Sequence, residues 1–410
     1  MGKKIYIRHI MEKISKFLYT DDILILHGAR QVGKTSILKH FIEEREKNEE
    51  KFFYIDLENL QYLELLEQGV DSFIDHLLQR GFHIKTEKVF VFIDEIQYLS
   101  NPSNFLKYLH DHYPFCKCIV SGSSSFEIKN KLQDSLVGRT MNFEIFPLSF
   151  SEKILFEDTS ININKSLDSV TLEYVRKSYK EYVLYGGYPK IVLTKDIEMK
   201  EMYLQQIIDT YIRKDIKDLA NIRDILKFNK LLRILSVQSG QMLNVQEIAN
   251  TVGISRQTVE HYLFILESTY IIKRVYPYSN NIRSELFKTP KIFFYDTGLM
   301  HVLQSGTVPN LMSGESFETS FFSEIVKNMK KDQYNYWRTQ DKKEIDFILP
   351  FSAGLLPIEV KINTAKLKTN AIDYFLKKYD LSQWLCVAMD HHKNKAEYVY
   401  PWETKKIFSK

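Results

Sequence analysis

Eight residues near the amino end have the spacing that phosphate chemistry requires. Gly28-Ala29-Arg30-Gln31-Val32-Gly33-Lys34-Thr35 matches G-x-x-x-x-G-K-[ST] at every fixed position. Backbone N–H groups around Gly33 can wrap a phosphate at a helix N-terminus, where aligned peptide dipoles favour negative charge. Lys34 is placed to reach the β- and γ-phosphates of a nucleotide, and the Thr35 hydroxyl to ligate Mg²⁺. These eight residues, with Ser36 opening the helix, form the candidate nucleotide cradle.

Two acids complete the chemistry. The run Val89-Phe90-Val91-Phe92-Ile93-Asp94-Glu95 holds five apolar residues in a row, which suits a strand covered on both faces. Open α/β sheets place ligands at the carboxyl ends of such strands. Asp94 then has the position of a carboxylate in the Mg²⁺ shell, and Glu95 that of the group that polarises an attacking water. The plainer reading is a strand ending in a solvated acidic turn.

These residues need elements to hold them. Residues 23–26 read as a buried strand and 36–42 as a helix, so the glycine loop joins strand to helix. Strand-like runs at 23–27, 52–56, 89–94 and 117–121 alternate with helical patterns at 34–47, 70–80 and 103–113. That alternation predicts an α/β fold with a parallel, doubly covered sheet, preceded by a short amphipathic lead-in over residues 1–22. Residues 151–220 are helical and connective, a lid or linker, with a sharp turn and candidate hinge at Gly186-Gly187-Tyr188-Pro189. Beyond it, the pattern predicts helices over 225–237, 245–252 and 256–268, the last capped by Ser255. An extended pair near 270–277 and 291–296 follows. This is the layout of a winged helix. Arg256, Gln257, Thr258 and His261 start the helix that would read base edges; a packing or partner surface is the alternative.

The C-terminal stretch carries a second set of ionisable residues. Phe317, Phe321, Phe322, Ile325 and Met329 give one helical stripe, with Glu318 at its edge. Glu359 and Lys361 are two apart, so they share one face of a strand. Asp346 lies on the strand expected to neighbour it.

Taken together, Gly-Ala-Arg-Gln-Val-Gly-Lys-Thr (28–35), Asp-Glu-Ile-Gln (94–97), Ser-Gly-Ser-Ser (121–124), Gly138-Arg139 and Pro147-Leu148-Ser149-Phe150 resemble bacterial and archaeal AAA-type P-loop ATPases. In those proteins a C-terminal domain of unknown function follows the ATPase. Residues 185–189 and 211–216 resemble them too, so the resemblance spans nearly the whole chain. It implies ATP and Mg²⁺ as ligands, a γ-phosphate sensor at Ser123 or Ser124, and Arg139 as an arginine finger acting in cis or on a second copy. A plain turn accounts for the serines, and a surface ion pair for Arg139. Glu318, Asp346, Glu359 and Lys361 resemble the PD-(D/E)xK nuclease core. That likeness implies a second Mg²⁺ or Mn²⁺ on the three acids, with Lys361 as a catalytic lysine rather than a ligand. Ile345 stands where that motif has proline.

The expected organisation is a P-loop AAA-type domain at 1–150, a lid or linker at 151–220, a winged helix at 221–295 and a nuclease-like domain at 296–410. Length supports several cores. The composition, 44% hydrophobic and 26% charged, is that of a soluble globular protein, and a net charge of +4 permits nucleic acid without demanding it. Cys116, Cys118 and Cys386 form no zinc set and read as buried free thiols. No apolar run approaches the ~18 residues of a membrane span, and the N-terminus lacks the apolar core of a signal peptide, so the expected location is the cytoplasm. The expected function is Mg-ATP hydrolysis coupled to DNA binding or processing, with DNA and a second copy of the chain as candidate partners. The competing expectation is a regulatory nucleotide switch, with a non-catalytic C-terminal domain, read by a protein.

Overall fold

A computed structural model describes residues 5–122, 136, 138–215, 222, 224–279, 289–329, 333–352, 354–390 and 397–408. The chain divides into two compact units, Met1–Phe146 and Pro147–Lys410. The second unit takes in the connective helices, the helix–hairpin segment and the C-terminal stretch.

The first unit is a five-stranded parallel sheet of β1 (Ile23–His27), β2 (Phe52–Asp56), β3 (Val89–Asp94), β4 (Cys116–Gly122) and β5 (Thr140–Glu144). The strand order is β2-β3-β4-β1-β5, with every pairing parallel. Every residue of β1, β3 and β4 is buried, the expected consequence of helices on both faces. The helices are α1 (His9–Ser15), α2 (Lys34–Lys47), α3 (Leu60–Glu67), α4 (Val70–Gln79) and α5 (Pro102–His112). Strand β5 is absent from the sequence reading because only one of its five residues, Phe143, is buried, so it lacks an apolar run. Cys116 and Cys118 are buried free thiols on one face of β4.

In the second unit α6 (Phe150–Glu157), α7 (Ser169–Tyr185), α8 (Pro189–Leu193) and α9 (Ile197–Ile207) lead into a π-helical stretch, Ile208–Asp215. Three helices follow, α10 (Ile225–Val237), α11 (Val245–Val252) and α12 (Arg256–Ser268), then an antiparallel hairpin of β6 (Ile272–Val275) and β7 (Lys291–Phe294). Asn244 and Ser255 cap α11 and α12 through backbone N–H groups, and Gly253 closes α11 in the left-handed region. After α13 (Thr297–Ser305) and α14 (Gly314–Asn328) comes a second sheet, ordered β12-β11-β10-β9-β8. It is built from β8 (Asn335–Arg338), β9 (Glu344–Phe351), β10 (Gly354–Asn363), β11 (Leu385–Asp390) and β12 (Tyr398–Val399), with α15 (Asn370–Tyr379) and α16 (Thr404–Phe408). Among the described residues no helix is long and apolar enough to cross a membrane.

The glycine turn after α7 is clamped on three sides. The Asp296 carboxylate accepts from Gly187 N at 2.8 Å and caps α13. Leu148 N donates to Gly187 O at 2.7 Å. A Cβ on Gly187 would lie 2.3 Å from Leu148 O, so the turn needs glycine for space. Gly187→Ala is expected to destabilise the second unit by about 1–3 kcal/mol, the usual cost of overpacking against backbone, read as a lower denaturation midpoint in urea.

Candidate functional site

The loop 28–33 follows β1 and delivers its last residues to α2. Gly28 has φ of 155° and a Cβ there would lie 2.1 Å from Ile145 O. Ile145 N in turn donates to His27 O at 2.7 Å, so the chain leaving β5 presses on the start of the loop. Gly33, at φ 99°, opens α2 in the left-handed region that only glycine enters cheaply. The N-terminal N–H groups of α2 thus face the loop without a side-chain cap, the state in which a helix end binds an anion.

Lys34 is buried, 5% exposed. Its Nζ donates to the loop's own carbonyls, Gly28 O at 3.0 Å and Ala29 O at 2.7 Å. Burial pulls its pKa down to about 8, opposed by the charges of Glu95 and Asp94. Thr35 is half-buried at the start of α2, and Ser36 is exposed.

Asp94 ends β3 and is buried. The Ser121 hydroxyl donates to its Oδ1, and the Tyr54 hydroxyl donates to its Oδ2 at 3.3 Å. Burial and the Asp94 charge push the Tyr54 phenol well up, so it stays a donor. Glu95 sits at φ 57°, ψ 48°, a sparsely populated conformation for a residue with a Cβ. Its N–H donates to Ser121 Oγ at 3.4 Å, and its carboxylate accepts from the Gln97 amide. One serine therefore ties both acids to β4.

A Mg²⁺ ion at a phosphate site takes one or two carboxylates and completes its shell with phosphate and water. The donor set of Thr35 and Asp94 fits that ion, since the carboxylate is pre-oriented and no all-protein cage is needed.

Some expected residues are elsewhere. Ser123 and Ser124 lie outside the described residues; the serine that meets the acids is Ser121. Arg139 precedes β5, and its carbonyl accepts from Ile23 N at 2.8 Å, at the start of β1. The glycine loop follows the opposite end of β1. Arg139 is therefore not part of this chain's own cradle. It pairs with Asp111 at 2.8 and 3.2 Å, and the guanidinium draws the Asp111 carboxyl down to about 2.

Sequence reasoning missed Tyr54 and Arg8, and it quoted Ser121 and Gln97 within motifs without giving them a role. Tyr54 is a lone hydroxyl in an apolar strand, a signal that could have been used. Arg8 carries none: it stands twenty places upstream of the loop, yet its Nη1 donates to Val32 O at 3.0 Å and its Nη2 to Phe146 O at 3.0 Å.

The C-terminal ionisable residues do meet. Lys361 Nζ lies 3.1 Å from Asp346 Oδ2 and 2.8 Å from Glu359 Oε1. Val360 N also donates to Asp346 at 2.8 Å. Lys291, on β7, bridges Glu318 at 3.2 Å and Glu344 at 2.7 Å. Among the described residues no group of three or more His, Cys, Asp or Glu side chains could hold a metal ion. The carboxylates are paired with lysine ammonium groups: Lys361 lies between Asp346 and Glu359, and Lys291 on Glu318. No metal-dependent step is derived for Glu318, Asp346 and Glu359.

Residues 20–154 match the family model of an AAA domain. Residues 176–309 and 313–404 match models of two domains of unknown function, DUF8612 and DUF4143. An uncharacterized protein of Haemophilus influenzae is 26% identical over 358 residues, covering 85% of each chain. An uncharacterized protein of Methanocaldococcus jannaschii is 26% identical over 338 residues, 81% of this chain and 73% of its own. A Walker-type ATPase of Pyrococcus abyssi superposes with a TM-score of 0.49 at 16% identity, covering 74% of this chain and 99% of that one. The loop geometry, the parallel sheet and the matched model make the first unit an AAA-type P-loop domain.

The acid network gives a pH signature. Burial, then the Asp346 charge, push the Glu318 carboxyl up to about 8 and Glu359 up to about 7, from an ordinary 4.5. The folded chain then holds more protons than the unfolded chain between those limits, so stability falls as pH rises through that window. Glu318→Gln is expected to flatten the fall in melting temperature between about pH 5 and about pH 8.5, because each tenfold difference in proton affinity between folded and unfolded chain is worth about 1.4 kcal/mol.

Proposed function

We propose that this chain binds Mg-ATP between the 28–35 loop and the Asp94–Glu95 strand end and hydrolyses it. We propose further that its second unit engages duplex DNA through the first turns of α12. The observation that carries the nucleotide reading is Lys34: a buried ammonium whose hydrogen-bond partners among the described residues are two carbonyls, 3.0 and 2.7 Å away, at the mouth of a helix N-terminus.

In this reading the loop N–H groups and Lys34 hold the β- and γ-phosphates. Thr35 and Asp94 hold Mg²⁺, which supplies charge neutralisation on the phosphate oxygens. Ser121 and Tyr54 keep the Asp94 carboxylate turned to that task. Glu95 accepts the proton of a water as its oxygen attacks the γ-phosphorus and the bond to the β-phosphate oxygen breaks. Gln97 fixes the Glu95 rotamer for that transfer. On α12, Arg256, Gln257 and His261 are exposed and free to face base edges and phosphates.

Turnover of ATP should fall at least ~100-fold in Glu95→Gln with nucleotide affinity kept, the usual size of a lost general base. Lys34→Ala should lose binding. Parent-like turnover in Glu95→Gln would remove the proposed role of that residue, and parent-like calorimetric binding by Lys34→Ala would overturn the site. The lowered Lys34 pKa adds a third readout. Because the ammonium loses its proton near pH 8 in the free protein, ATP affinity should decline as pH rises above that value, by up to about tenfold per pH unit.

A further inference from the structure

We propose that the second unit holds a separate site for a single nucleic-acid strand, in an aromatic groove formed by residues 277–279, β8 and α15. The site differs from α12 in surface and in the form of nucleic acid it takes, and it does not depend on the ATP reading.

The groove encloses about 750 Å³. Residues 276–278 extend the edge of the second sheet. Tyr278 N donates to Tyr336 O at 2.6 Å, and Tyr336 N to Tyr276 O at 3.2 Å. Tyr278, Trp337, Tyr374 and Tyr379 line the space. Trp337 is buried and held edge-on by Phe375, with ring centroids 5.1 Å apart. Tyr374 packs on Trp337 at 5.9 Å and keeps 44% of its surface open. A packed ring that keeps part of its surface open, with a lysine at its face that can move to a phosphate, offers a stacking platform for an unpaired base, whatever its identity.

Two lysines lie against these rings. Lys343 Nζ lies 4.2 Å from the centre of the Tyr374 ring. Lys378 Nζ lies 5.3 Å from Tyr379 and 5.8 Å from Trp337. Neither lysine forms an ion pair among the described residues. Arg338 meets a carboxylate through Nη1, which donates to Glu344 at 2.8 Å, while its Nε and Nη2 have no partner among the described residues. Among the described residues Asp341 is the only carboxylate in the lining. Ring faces interleaved with unneutralised cations match a strand that alternates bases and phosphates. A duplex hides its base faces in the stack. A proline-rich peptide would suit the rings but leave the two lysines unused. The groove also adjoins the acid network, since Glu344 accepts from Arg338 and pairs with Lys291.

Fluorescence anisotropy on the full chain tests this with labelled oligo-dT, oligo-U, a duplex and a proline-rich peptide. Oligo-dT or oligo-U should bind with an affinity that falls as salt rises; tighter binding of one assigns DNA or RNA. Tyr374→Ala should weaken that binding roughly tenfold, and Lys378→Ala should lower the salt slope by about 0.7. Both side chains are exposed, and an unchanged circular dichroism spectrum checks the fold. Duplex binding should survive Tyr374→Ala and weaken in Arg256→Ala, so failure of the groove and failure of the α12 reading are distinct results. The proposal is overturned if neither single strand binds, if both groove variants bind like the parent, or if the peptide binds the groove in their place.

Discussion

A buried cation whose hydrogen-bond partners among the described residues are carbonyls organises the first unit. The Lys34 ammonium spends its hydrogen bonds on two carbonyls of its own loop, and burial has already lowered its affinity for the proton. Such a group gains most from an anion brought to it, because low dielectric strengthens the attraction and the desolvation cost is already met in the fold. The loop can hold it only because glycine stands at 28 and 33. A side chain at 28 would strike the Ile145 carbonyl, and Gly33 starts α2 from a backbone conformation closed to most residues. Arg8 closes the assembly from outside, joining the Val32 carbonyl of the loop to the Phe146 carbonyl beyond β5.

Opposite the loop, the acids are set by neighbours rather than by their own strand. Asp94 is oriented by hydroxyls from β2 and β4, and Glu95 is held off the strand direction at a positive φ by its turn and by Gln97. Hydroxyl donors can steer a carboxylate without neutralising it, whereas a lysine there would remove the charge that a divalent ion needs. The C-terminal acids show the contrast. There Lys361 and Lys291 lie against Asp346, Glu359 and Glu318, and the burial that raises the two glutamates favours their neutral forms. The same residue types are thus steered by hydroxyl donors in one place and joined to lysines in the other.

The second unit is held by a buried polar clamp. Leu148 O accepts from Tyr182 at 2.9 Å and from Lys327 at 2.9 Å, while Glu324 accepts from Phe150 N at 3.1 Å. Phe150 packs on Tyr179, with ring centroids 4.8 Å apart. With Asp296 on the glycine turn, these contacts make residues 147–150 and 186–187 a fixed joint. The sequence turn at 186–189, read as a candidate hinge, is thereby a packed corner.

Periodicity and spacing alone determined the phosphate loop, the helix that follows it, the strands β1 to β4, the acids at the end of β3 and the helix–helix–hairpin order around α12. Each of these is local: a continuous apolar run, a cap, or glycines at fixed offsets. Strand β5 escaped because its edge position needs no apolar run. Ser121, Tyr54 and Arg8 escaped because their partners are 27, 40 and 24 positions away in the chain. Tertiary structure also set the neighbours of two groups that the family resemblance had singled out. Arg139 lies at the end of the sheet away from this chain's own loop, and Lys361 and Lys291 pair with the C-terminal acids. A sequence shows which charges a chain carries; only folding decides which of them face each other once water is excluded.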